Sequence, residues 1–173
     1  MDIKELQRPL RERYAADPEY TPITLTVRSA TTDSDDPLHC EITPDSLPSL
    51  RWASGAHAAV GGVGDAPCSA DLLLASLAAC QEVTLRMVAA NQGIELEEVE
   101  VVVEGDWDPR GTLAMGREFP VGLTAIRCHT SVHLAGEVDE ERAARFLRSA
   151  ERYCVVLSTL RGQPTVESEF SLV

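Results

Sequence analysis

Residues 69–91 read SADLLLASLAACQEVTLRMVAAN, a helix-forming stretch in which leucine, alanine, valine and methionine leave almost no polar face. A helix that is apolar all round must be enclosed on every side. A chain of 173 residues suffices for one domain that buries roughly two-thirds of its unfolded surface, but it has little material left to wrap such a helix. A second copy of the chain is the economical enclosure, so the pattern predicts a homodimer packed around this element. Ser69 and Asp71 open the helix, and Gly93 stands where it must stop.

Charge narrows the partners. Lys and Arg total 15 against 28 Asp and Glu, a net charge of −13. A surface that acidic repels phosphate backbones and anionic bilayers, so neither nucleic acid nor membrane is expected as a partner. No stretch reaches the ~18 uninterrupted apolar residues that suggest a membrane span. The N-terminal MDIKELQRPLRERYAADPEY is charged throughout and lacks the apolar centre of a signal peptide. A cytoplasmic location is the expectation.

The order of patterns predicts a single α+β domain, with residues 1–20 as an N-terminal helical extension and 21–173 as the core. Ile3, Leu6 and Leu10 recur at helical spacing over residues 3–15. Ile23, Leu25 and Val27 alternate with Thr24, Thr26 and Arg28 as in a half-buried strand. Thr32 to Pro37 is an acidic turn. Leu38, Cys40 and Ile42 alternate again, a short strand is expected through Leu50–Ala53, and residues 54–68 form a glycine-bearing loop. Val99, Val101 and Val103 then oppose Glu98, Glu100 and Glu104. After a connection over residues 105–122, a second strand sets Ile126, Cys128, Thr130, Val132 and Leu134 against Arg127, His129, Ser131 and His133. Asp139 caps a helix with Ala143, Leu147 and Ala150 on one stripe, and a shorter helical segment after Tyr153 reaches Leu160. Val166, Ser168, Phe170 and Leu172 read as a last strand. Strands and helices do not alternate strictly, which favours α+β over a parallel α/β sheet.

Five widely spaced cysteines, an odd number, do not make a disulfide framework. Cys40 and Cys128 fall on apolar strand faces and read as small buried hydrophobes. Cys68 precedes the long helix, where backbone N–H groups favour a thiolate. Cys80 lies in the middle of that helix, and Cys154 at the break between two helical segments, where the second segment's N-terminus would lower its pKa. Spacing alone leaves both as core residues. Gly61, Gly62 and Gly64 match no phosphate-binding loop. His129 and His133 lie about 13 Å apart along a strand, too far to share one metal.

The segment SADLLLASLAACQEVTLRMVA resembles the central helix of the OsmC/Ohr family of thiol-dependent hydroperoxide reductases, whose mark is a Leu/Ala-rich helix carrying a small-small-Cys step, here Ala78, Ala79 and Cys80. ERYCVVLSTL resembles the family's second cysteine segment. GDWDPRGTL and the element order are also similar. The resemblance covers roughly residues 20–173. It implies an intertwined homodimer, two antiparallel-rich sheets wrapped around central helices, and active sites at the subunit interface. It assigns Cys80 as the peroxidatic cysteine and Cys154 as the resolving one, with an organic hydroperoxide as substrate, an external dithiol as reductant, and no metal, haem or flavin. A buried thiolate also calls for a nearby cation. By order along the chain the family's N-terminal arginine corresponds to Arg28, with Arg51 and Arg86 as the other candidates. The chain departs from the family pattern in three places. Ala70 stands ten positions before the cysteine, where hydroperoxide reductases of the family carry Glu. The arginine lacks its Gly-rich turn. Val155 follows Cys154 where many relatives have Pro. The alternative reading is a non-catalytic OsmC-like dimer that binds a small apolar or thiol-reactive ligand or acts as a redox sensor.

Overall fold

The computed structural model describes residues 2–20, 23–31 and 33–172. The expectations that fall on Met1, Thr21, Pro22, Thr32 and Val173 lie outside the described residues. The fold is α+β. The chain divides into two compact units, Met1–Ala75 with Val103–Cys128, and Ser76–Val102 with His129–Val173.

In the first unit, α1 (Ile3–Ala16) starts where the Asp2 carboxylate accepts the N–H groups of Lys4 and Glu5. On its apolar stripe Leu6 and Leu10 are exposed. Three antiparallel strands follow in the order β1 (Val27–Ala30), β2 (His39–Pro44) and β3 (Trp52–Gly55). The strand expected from Ile23 begins only at Val27, opposite Pro44. The Asp45 N–H still reaches the Thr26 carbonyl at 3.0 Å, and the Leu47 N–H to Pro44 carbonyl turn then carries β2 away. Ile23 and Leu25 are left without a ladder and lie exposed.

The loop over residues 56–68 is folded tightly on itself. A Cβ on Gly62 would lie 1.7 Å from the Ala56 carbonyl oxygen, so no larger residue fits there. Across the loop His39 bridges two carboxylates, Asp36 at Nδ1 (2.7 Å) and Asp65 at Nε2 (2.9 Å). The short helix α3 (Pro109–Thr112) starts from Asp108, whose carboxylate accepts the Arg110 N–H.

Helix α2 (Ser69–Gln92) has 24 residues and, by length and composition alone, could cross a membrane. At its start the Asp71 carboxylate accepts the Cys68 N–H at 2.8 Å. At its end Gly93 takes φ +64°. The Ile94 N–H reaches the Ala89 carbonyl and the Gly93 N–H that of Ala90, the Schellman closure that a left-handed glycine permits.

Strands β4 (Leu96–Asp106) and β5 (Ala125–Leu134) form a second sheet. Its antiparallel sense follows from bonds at its two ends, Thr124 N–H to Asp106 and Ala135 N–H to Glu95. Along β5 exposed and half-buried residues alternate without a break. In the second unit α4 (Glu140–Tyr153) starts from Asp139, whose carboxylate accepts the Arg142 N–H, and α5 (Val155–Gly162) follows after one residue. The core there joins Leu85, Val88 and Ala89 of α2 to Ile94, Phe146 and Ala150, with Val132 and Leu134 of β5 packed against them.

Two further expectations are corrected. On α4, Leu147 is 47% exposed, and the buried stripe runs Phe146, Ala150, Cys154, because the i, i+4, i+8 line that faces α2 passes through Phe146. Residues 163–172 form no strand; with no neighbouring strand to pair with, Phe170 is 94% exposed. As expected, one chain does not enclose α2 on every side: Val83 is 56% exposed and Met87 36%.

A candidate thiol redox site

Cys80 sits halfway along α2, between the buried Leu77 and Leu85, and is half-buried. Cys154 closes α4 and opens α5 in an extended conformation (φ −71°, ψ 107°), and no side chain caps the new helix. Its carbonyl accepts the Ser158 N–H at 3.0 Å, which leaves the N–H groups of the first turn of α5 free to serve sulfur. Those of Val156 and Val155 donate to Cys80, and those of Leu157 and Val156 to Cys154. The two thiols are close enough to act on each other's pKa. Cys154 is 0% exposed.

The environments push the two thiols apart. Burial raises Cys80, but the Val156 N–H, the Cys154 thiol, the Thr84 hydroxyl (Sγ to Oγ1 3.9 Å) and the Val155 N–H outweigh it, and its pKa lies below the ordinary thiol value. Burial also raises Cys154. There the neighbouring Cys80 adds to the effect, by hydrogen bond and by charge, and the N–H groups of Leu157 and Val156 do not offset it. Of the two, Cys80 is thus the thiol that gives up its proton more readily, and Cys154 the one that holds it more tightly. A helix N-terminus is a natural support for a thiolate.

Among the described residues, the groups acting on Cys80 are backbone amides, a thiol and a hydroxyl. The three candidate arginines are each committed to a carboxylate. Arg28, on β1, is held by both oxygens of Asp45 at 2.9 Å. Arg51 binds Glu41 at 2.8 Å, and Arg86 binds Glu82 at 3.1 Å. Sequence reasoning missed Thr84, though its place four residues after Cys80 is a helical-face signal. It also missed Gln81, which is buried with its Oε1 unpartnered among the described residues.

Cys68 is buried and donates to Asp71 by both N–H and S–H. Ala70 lines a cavity of about 640 Å³ in the first unit, together with His57, Val60, Cys68, Leu73 and Trp107. Cys40 and Cys128 are half-buried free thiols, and His129 and His133 are exposed. Among the described residues no group of three or more His, Cys, Asp or Glu is placed to hold a metal. A groove of about 460 Å³ along α5 is lined by Arg152, Tyr153, Val155, Ser158, Thr159 and Pro164.

A family model described as OsmC-like protein matches residues 62–169. Among solved structures, an OsmC-like protein from Mycoplasma pneumoniae superposes with a TM-score of 0.61 at 18% identity, over 82% of this chain and 90% of that one. An organic hydroperoxide resistance protein OsmC from Legionella pneumophila gives 0.58 at 22% identity, over 81% and 90%. An organic hydroperoxide resistance protein from Elizabethkingia anophelis, with thiocyanate bound, gives 0.58 at 19%, over 82% and 91%. These likenesses establish the shared fold. A search of curated proteins finds no match.

Proposed function

The chain belongs to the OsmC-like protein family, and from that premise we propose that it is a thiol-dependent peroxidase reducing organic hydroperoxides to alcohols. The Cys80 thiolate attacks the terminal oxygen of the hydroperoxide, and the O–O bond breaks. The alkoxide leaves and takes up a proton to give the alcohol, and Cys80 becomes a sulfenic acid. Cys154 then attacks the Cys80 sulfur and water departs, leaving a Cys80–Cys154 disulfide. An external dithiol returns both to thiols as it is itself oxidised to a disulfide. The two electrons that reduce the peroxide come from sulfur, so the scheme calls on no metal, haem or flavin.

One observation carries the reading: two cysteines 74 positions apart in sequence are brought together so that each acts on the other, with the lowered pKa on the more accessible one. A nucleophile needs its charge at neutral pH, and a resolving thiol needs only proximity. A second thiol within reach also halts oxidation before the irreversible stages. Arg28 is the proposed cation for the peroxide step, and it would have to exchange Asp45 for the thiolate. The protein acts as a cytoplasmic homodimer in this scheme, the partner covering the Val83–Met87 side of α2.

Turnover with dithiothreitol tests the reading. Cumene hydroperoxide should be consumed catalytically, faster than hydrogen peroxide, and consumption should vanish in Cys80→Ser. A non-catalytic ligand-binding or sensing role is favoured by Ala70 and by the Arg28–Asp45 pair. It takes over if wild-type protein binds but does not consume the hydroperoxide.

A further inference from the structure

Recycling a Cys80–Cys154 disulfide begins with a choice, because the reductant can attack either sulfur. Leaving-group chemistry alone selects Cys154 as the target: attack there expels Cys80, whose thiolate the Val156 and Val155 amides support. Attack on Cys80 expels Cys154, whose thiol is pushed up by burial and is the poorer leaving group. Access argues the opposite way. Cys154 is 0% exposed, at the end of the stripe Phe146, Ala150 that fills the core. An exchange that cannot bring the incoming thiolate to sulfur does not proceed, whatever the leaving group.

We propose that the reductant attacks Cys80, so that the recycling intermediate is a mixed disulfide on Cys80 with Cys154 released; the inference rests on the thiol-pair reading above. In the first exchange the reductant's S–H proton passes to Cys154, the Cys80–Cys154 bond breaks and a Cys80–reductant bond forms. Cys154 is then a thiol still seated against the mixed disulfide. It re-attacks Cys80 and expels the reductant, so a monothiol is thrown off before a second molecule arrives. A dithiol escapes this return, because its second, tethered thiol attacks its own sulfur in the mixed disulfide. That step expels Cys80 as the thiolate supported by the α5 amides, the good leaving group. The requirement for a dithiol is therefore built into the buried position of Cys154.

The test starts from wild-type protein in which the bridge is formed with diamide, independently of any peroxide. The oxidised protein is mixed with excess 2-mercaptoethanol, quenched in acid after short times, alkylated under denaturing conditions and mapped by mass spectrometry. Mercaptoethanol should be found on Cys80, with Cys154 alkylated, in at least about tenfold excess over the reverse pattern. In Cys154→Ala, which has no returning thiol, the preference of hydroperoxide turnover for dithiothreitol over 2-mercaptoethanol should shrink by about tenfold or more. Mercaptoethanol mainly on Cys154 overturns the proposal, as does an unchanged dithiothreitol preference in Cys154→Ala or the failure of diamide to form the bridge. If diamide forms the bridge and a hydroperoxide does not, the peroxidase reading fails and the site of thiol attack is still read.

Discussion

Cys80 and Cys154 act on each other, and their thiol pKa values move in opposite directions: against burial, the Val156 N–H, the neighbouring Cys154 and Thr84 lower Cys80, while burial and the neighbouring Cys80 raise Cys154. Removing the Cys154 thiol tests both halves of the arrangement. In Cys154→Ala the alkylation rate of Cys80 near neutral pH should fall, because one support of its thiolate is gone. After one equivalent of hydroperoxide the Cys80 sulfenic acid should persist long enough to be trapped by dimedone. In wild type the same adduct should be scarce. Equal trapping in both proteins would show that Cys154 does not resolve.

Val155 offers a finer probe. It is the first residue of α5, a position where proline is well tolerated because its missing N–H has no partner in the helix. Its N–H is the weakest of the supports acting on Cys80. Val155→Pro should leave the fold and α5 intact, raise the pKa of Cys80, and slow its reaction with iodoacetamide severalfold at neutral pH. An unchanged pH profile would show that the Val155 N–H does not support the thiolate.

The corrected stripe on α4 makes a stability prediction. Phe146 is 1% exposed and Leu147 47%. Phe146→Ala should cost about 3–5 kcal/mol in denaturant unfolding. Leu147→Ala in the monomeric chain should stay within roughly 0.5 kcal/mol. A reversed order would return the helix to the register expected from its sequence.

His39 gives the fold a pH dependence. The Asp65 and Asp36 carboxylates, one at each ring nitrogen, raise its pKa, with Asp65 the larger cause. A group whose folded pKa is raised contributes stability that is fully present below its unfolded value of about 6.5, and loses it as pH rises through the folded value. Urea midpoints of wild type should therefore fall through that window. His39→Gln should remove this part of the slope, and an identical slope in both proteins would contradict the bridge.

Local signals were largely legible in the sequence. Asp139 reads as a cap and is one; Gly93 reads as a stop and takes the left-handed turn; β5 alternates in sequence and in burial alike. The features that sequence left dark depend on a neighbour. Leu147 and Phe146 are equally apolar, and only the approach of α2 decides between them. Val166 to Leu172 alternate like a strand, yet a strand needs a ladder partner, and none lies beside them in the chain. Cys80 and Cys154 could be paired only through the family resemblance. Nothing in local pattern shows that the residue between two helices turns the amides of the second toward a sulfur 74 positions earlier.

The central claim is that Cys80 attacks a hydroperoxide and Cys154 resolves it. The most direct measurement is a single turnover: reduced protein receives one equivalent of cumene hydroperoxide, is quenched with an alkylating agent, and its disulfides are mapped. The account predicts rapid formation of a Cys80–Cys154 bridge with release of one equivalent of alcohol, both lost in Cys80→Ser. Two free thiols beside undiminished hydroperoxide would contradict it.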